Sequence, residues 1–256
     1  MQLETIVTIT ILAFIFQYTD ASLGMGYGTS LTPLLLVMGF GLLEIVPALL
    51  LSQFVTGIVG GMFHHYFENV NLRLGSMDLK IAVVLTVFSI IGVGISVIAF
   101  VSLEEIFIQA YIGILVLSIG AVVLLTFERT FVLTMKKIVG LGLFAAFNKG
   151  ISGGGYGPIA TGGQILSGVH SKSAIGIGSV AEGLTSAVGA ILFFFFVSGA
   201  QWGLVPWLLL GGLASVPAAA FTVKKVHARN LRVIVGIAIC ALGIITLAKV
   251  AYGWAG

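Results

Sequence analysis

Lys149 lies in an apolar stretch, just before the run Gly153-Gly154-Gly155-Tyr156-Gly157. A charge at membrane depth without a partner costs on the order of several kcal/mol, so this lysine calls for an anion nearby. A second run, Gly24-Met25-Gly26-Tyr27-Gly28, stands 129 positions earlier, and there Asp20 takes the place of the lysine. Two readings stay open: a fixed Asp20 to Lys149 ion pair, or direct contact of Lys149 with an anionic substrate. Gln53 and Glu182 share the same separation, each in the middle of a long apolar segment. A carboxyl in that setting is a candidate proton carrier, or a structural group held by hydrogen bonds.

The glycine runs supply a second element of anion chemistry. A helix that starts inside protein offers its first unpaired N–H groups and the positive end of its dipole. Glycine lets successive N–H groups converge and leaves no Cβ in the way of a ligand. The expected substrate-binding set is therefore Gly24, Gly26, Tyr27, Gly28, Thr29 and Ser30 from the first run, with Gly153, Gly154, Gly155, Tyr156 and Gly157 from the second. Asn148, Lys149 and Gln53 join it, and Glu182 and Asp20 are assigned to a coupling proton or an ion pair. Gln164, Ser52, Thr56, Ser179 and Thr185 extend the polar lining. Pro158 fits a helix start, where its missing N–H breaks no bond. The competing use of glycine, close helix packing, is the reading for Gly57 and Gly189. Met25 and the Phe193 to Phe196 run read as packing or lipid contact.

The elements that position these residues follow from composition. Hydrophobic residues are 59% of the chain, charged residues 8%, and mean hydropathy is +1.18, which excludes a soluble domain. Crossing a bilayer takes about 20 apolar helical residues. Apolar runs fall near 3–19, 29–40, 43–66, 79–102, 105–127, 138–150, 158–168, 171–198, 203–223 and 230–252. The expected fold is an all-α polytopic membrane protein, one transport domain over 1–256, without appended modules. The first run lacks a basic flank and a cleavage site, so it reads as part of the fold.

Several function classes drop out on inventory. The lone Cys240 gives no disulfide or multi-cysteine metal or redox site. His64-His65 reads as an interfacial pair, since adjacent helical residues diverge and no further ligand is spaced to complete a metal site. No hydrolase motif or nucleotide-binding motif occurs, so no enzyme, cofactor or metal is expected. The net charge of +3 sits in loops and reports topology, with no nucleic-acid partner implied.

The repeat extends past the glycine runs: a shift of 129 also aligns Gly39 with Gly168, Thr56 with Thr185 and Gly60 with Gly189, and a shift of 123 aligns Gly113 with Gly236 and Gly120 with Gly243. This divides the chain into repeat one at 1–127, a linker at 128–137 and repeat two at 138–256. Arg73, Lys80, Arg129, Lys136, Lys137, Lys172, Lys224, Lys225, Arg229 and Arg232 mark the cytoplasmic side, whereas the turns at Glu104-Glu105 and Ser198 to Gln201 carry no Lys or Arg. The halves are then inverted. Each comprises a Gly-broken re-entrant helical hairpin plus about three transmembrane helices, because runs of about 13 and 11 residues around the second glycine loop are too short to span. The two tips are expected to meet near the midplane.

Leu23 through Leu35, containing Gly24-Met25-Gly26-Tyr27-Gly28-Thr29-Ser30 and Pro33, together with Ile151-Ser152-Gly153-Gly154-Gly155-Tyr156-Gly157-Pro158, resemble the repeated unit of the TauE/SafE family of sulfite and organosulfonate exporters. Here the first copy replaces glycines with Met25 and Tyr27, and the second has Gly162 at the place of Pro33. The resemblance implies a secondary transporter, an exporter in the cell membrane, for a small sulfur-containing anion such as sulfite or a sulfonate. The residues themselves argue for a small anionic substrate, a lipid bilayer around the chain and a coupling proton. An anion channel and a non-transporting scaffold or assembly factor are the alternatives.

Overall fold

The computed structural model describes residues 2–125 and 134–225, together with 237, 240, 241, 243–248 and 251. Nine helices are described: α1 Leu3–Leu23, α2 Tyr27–Val37, α3 Leu42–Tyr66, α4 Met77–Ser102, α5 Glu105–Leu125, α6 Met135–Ser152, α7 Tyr156–Leu166, α8 Ser171–Phe196 and α9 Val205–Lys225. Among the described residues there is no strand. Most of the expected linker, with Arg129, and most of the segment at 230–252, with Arg232 and Gly236, lie outside the described residues, as does Arg229 just before that segment.

Five helices, α1, α3, α4, α8 and α9, are long and apolar enough to cross a membrane. Their surfaces run opposite to those of a water-soluble bundle. Ile90, Ile91, Ile98 and Val101 of α4 and Phe194, Phe195 and Phe196 of α8 are exposed, while Ser52, Ser89, Ser96, Asn148 and Lys149 are fully buried. Only a lipid surrounding makes that distribution favourable, since outward apolar groups need no cover there and inward polar groups must bond within the protein. The chain is an all-α polytopic membrane protein.

The helix breaks follow from backbone chemistry. Gly24 closes α1 in the left-handed region (φ 72°), its N–H bonded to the Asp20 carbonyl at 2.6 Å. Gly153 closes α6 in the same way (φ 71°), its N–H bonded to the Lys149 carbonyl at 2.8 Å. A residue with a Cβ is strained at both places. Pro33 and Pro47 are carried inside α2 and α3, and Pro158 lies in the first turn of α7, where its missing N–H leaves no intrahelical bond broken.

One length differs from the expectation. α6 spans 18 residues, a rise of about 27 Å, rather than the shorter run read from hydropathy alone. It extends the run at 138–150 by Met135-Lys136-Lys137, whose charges lower local hydropathy although the backbone stays helical, and by Ile151-Ser152 before Gly153. α7 has 11 residues.

α3 and α8 cross at the centre, α1 lies along α9, and α6 lies along α4. Outer helices bridge the pairs, α4 against α8 and α3 against α9. Individual contacts exchange under the sequence shift. Gly60 faces Ser179 and Val216, and Gly189 faces Leu50 and Val93, the residues found by shifts of 129 and 123. Gly57 on α3 and Gly183 on α8 bring the two central backbones into direct contact.

Candidate functional site

Both glycine loops arrive at one place. A Cβ on Gly28 would run into the Gly153 carbonyl and the Gly154 Cα, and one on Gly157 into the Gly24 carbonyl and the Met25 Cα. The same contact is thus made twice, once in each direction. Two hydrogen bonds join the loops on one side only: Thr32 Oγ1 donates to the Ser152 carbonyl at 2.7 Å, and Gly155 N–H donates to Thr29 Oγ1 at 3.1 Å. Under the shift, the partners of Thr29 and Thr32 are Pro158, which has no hydroxyl, and Thr161, which packs on Gly24. Glycine is needed at 28, 154 and 157 because the other loop fills the space a side chain would take.

Beside this contact lies a closed triangle of polar side chains. Lys149 Nζ donates to Glu182 Oε1 at 2.8 Å and to Gln53 Oε1, while Gln53 Nε2 donates to Glu182 Oε1 at 2.9 Å. Three helices contribute, α6, α3 and α8. Relative exposures are 0% for Lys149, 2% for Gln53 and 7% for Glu182, so water screens the pair little. Lys149 therefore pairs with Glu182 and not with Asp20, the partner the repeat suggested. Asp20, partly buried, instead accepts the Tyr27 N–H through Oδ1 at 3.3 Å, placing its carboxylate at the N-terminus of α2. That helix end favours a negative charge, which accounts for the choice. Asp20 remains within electrostatic reach of both Lys149 and Glu182.

Other expected site residues are engaged elsewhere. Tyr27 Oη meets Ser52 Oγ at 3.3 Å and Tyr156 Oη meets Ser89 Oγ at 3.2 Å, so each motif tyrosine, fully buried, ties its unit to a neighbouring helix. Asn148 donates through Nδ2 to the Phe144 carbonyl at 2.6 Å and accepts the Tyr111 hydroxyl. Ser179 and Thr185 bond back to carbonyls of α8, and Thr56 to that of Ser52 on α3. Gln164 bonds the Ala160 carbonyl at 3.0 Å through Nε2 and leaves Oε1 buried without a partner among the described residues. Gly26 and Gly155 start α2 and α7, and Ser30 is buried in the first turn of α2.

Thr32, Ser152, Ser89 and Tyr111 were not anticipated. For Thr32 a signal existed, since it follows Thr29 by three positions and so shares its helix face. Ser89 and Tyr111 sit on distant apolar helices, where no local pattern marks them. His64 is fully buried, with Asn69 Nδ2 within 3.2 Å of its Nδ1, and His65 Nδ1 accepts the Leu72 N–H at 3.3 Å. The histidines anchor the turn after α3. Among the described residues no group of three or more His, Cys, Asp or Glu could hold a metal ion.

A bundle of apolar helices with paired breaks and a buried charged cluster at their meeting point defines a polytopic protein of the membrane-transporter class. The chain matches the family described as "Sulfite exporter TauE/SafE" over residues 9–246, and it belongs to that family. It is 28% identical over 251 residues to "Probable membrane transporter protein YtnM" of Bacillus subtilis (strain 168), covering 91% of this chain and 80% of that one. No solved structure matches it. Members of this family are transporters and not enzymes.

Proposed function

We propose that the chain exports a small sulfur-containing anion, sulfite or a sulfonate, by alternating access, holding it between two re-entrant glycine tips near the membrane midplane. The observation that carries this reading is the mutual contact of the tips beside Lys149. In the first unit the Asp20 carboxylate already occupies the helix N-terminus that would attract an anion. The second unit has a cation at the matching place, so the anion is held by Lys149 and by the N–H groups of Tyr156 and Gly157 where α7 begins, those of Gly153, Gly154 and Gly155 being bonded within the protein. Parting of the tips then opens the site to one face or the other.

The exchange of contacts under shifts of 129 and 123 supports two inverted repeats, 1–127 and 138–256. Long limbs α1 and α6 and short limbs α2 and α7 would form the two hairpins. The Lys and Arg residues support a cytoplasmic side for the 67–78 loop, the 128–137 linker, the turn at Lys172 and the loop from Lys224 to Arg232. The name of the family supports the substrate class.

Reconstituted protein should show saturable counterflow of sulfite or a sulfonate, and the anion should raise the unfolding temperature of the purified protein. Conductance without saturation would instead make it a channel, and neither flux nor anion binding would leave a scaffold. Stabilisation by cationic ligands alone contradicts the anion site.

A further inference from the structure

We propose that the transported anion takes the Lys149 ammonium from Glu182, and that the released Glu182 carboxyl binds one proton, so that each anion travels with one proton. This rests on the anion-transport reading above. It adds the exchange of partners, the stoichiometry and the charge of the moving state.

The triangle contains one ammonium and one carboxylate in direct contact, with Gln53 bonded to both. Glu182 Oε1 accepts from both partners, and only Lys149 balances its charge. An anion reaching Lys149 from the adjoining Gly153 to Gly157 loop therefore competes with Glu182 for the same ammonium. If it wins, Glu182 keeps a neutral amide N–H as its neighbour at 7% exposure. A carboxylate without a counter-charge in that setting is costly, and a proton from water on the loading side removes the charge. The proton goes to a Glu182 carboxyl oxygen. On release the anion leaves, Lys149 returns to the carboxylate, and the proton passes to water on the other side.

Gln53 fits both states. Its Nε2 donates to the ionised carboxyl as observed, and its Oε1, freed when Lys149 turns to the anion, can accept the O–H of the protonated one. A carboxylate at position 53 would serve only one state. The other titratable groups facing the cluster are Asp20 of α1, Tyr27 of α2 and Tyr156 of α7. Asp20 is held by the Tyr27 N–H, and the two tyrosine hydroxyls are engaged with Ser52 and Ser89, so none of them loses a hydrogen-bond partner when Glu182 does. For a monovalent anion the empty and loaded clusters then carry equal charge. The crossing is electroneutral, so net export runs whenever the product of anion and proton concentrations is higher inside the cell than outside.

The test uses methanesulfonate, whose single negative charge does not change with pH, in vesicles containing the full chain. A methanesulfonate gradient should move protons with it one for one, and clamping the membrane at about 100 mV, worth about 2.3 kcal/mol per charge, should change the flux less than about twofold. Methanesulfonate flux that follows the potential without proton movement overturns the proposal. In detergent, methanesulfonate affinity should fall up to about tenfold per unit rise in pH. Glu182→Gln should bind it at least as tightly, without that pH dependence, and should carry no protons. Retained pH dependence in this variant also overturns the proposal. The vesicle measurement on the native chain decides the matter even if the variant does not fold. Sulfite counterflow without methanesulfonate counterflow removes this inference alone, whereas failure of both anions removes the transport reading.

Discussion

Gln53 and Glu182 stand 129 positions apart and bond each other directly, Gln53 Nε2 to Glu182 Oε1 at 2.9 Å. Each lies near the middle of a long apolar helix, Gln53 on α3 and Glu182 on α8. α3 and α8 cross there through Gly57 and Gly183. The charged cluster is therefore set at the centre of the molecule.

Removing Lys149 leaves Glu182 buried without a counter-charge. Lys149→Ala should lower stability by about 3 to 5 kcal/mol and abolish transport, whereas Lys149→Met combined with Glu182→Gln should recover more than half of the stability. Thermal unfolding in detergent measures both. Strictly additive losses in the double variant would show that the pair is not coupled.

The tips should tolerate no methyl group where the loops touch. Gly28→Ala and Gly157→Ala each place a Cβ against the opposite backbone, for an expected loss of about 1 to 3 kcal/mol and of transport. Gly162→Ala meets nothing within 4 Å and should be neutral or up to about 1 kcal/mol stabilising. Equal effects at Gly157 and Gly162, which share one helix, would contradict the contact.

The one-sided pair of hydrogen bonds predicts a graded response. Thr32→Val removes the 2.7 Å bond to the Ser152 carbonyl and should cost about 0.5 to 1.5 kcal/mol, while Thr32→Ser keeps the donor and should lose less. Hydrogen exchange of the α6–α7 loop amides should rise in the valine variant. Unchanged exchange there would separate Thr32 from the closure of the tips.

Topology can be read with single cysteines. In a Cys240→Ser background, Arg73→Cys and Gln201→Cys should react with impermeant reagents from opposite faces of the membrane. Labelling of both from one face would remove the inverted arrangement.

Hydropathy was enough to find nine of the helices in order, because lipid demands long apolar runs whatever they pack against. The breaks were equally plain. Gly24 and Gly153 end their helices at the positions where positive φ is required, a local matter of backbone sterics. Helix ends carrying charge were harder, and α6 came out longer than its apolar core. The motif marks Tyr27 and Tyr156, but the partners of their hydroxyls, Ser52 and Ser89, lie on other helices, and no local pattern points to that pairing.

Lys149, Asp20, Gln53 and Glu182 could all be picked out from the chain alone, since the cost of a buried polar group depends on its own chemistry and on the apolar residues around it. Their pairing could not. Which carboxylate answers Lys149 depends on how α3, α6 and α8 are rotated and crossed, and only the packed fold fixes those angles. It set Glu182 at 2.8 Å and turned Asp20 to the start of α2. Sequence chemistry established that the charges need partners, and long-range packing chose them.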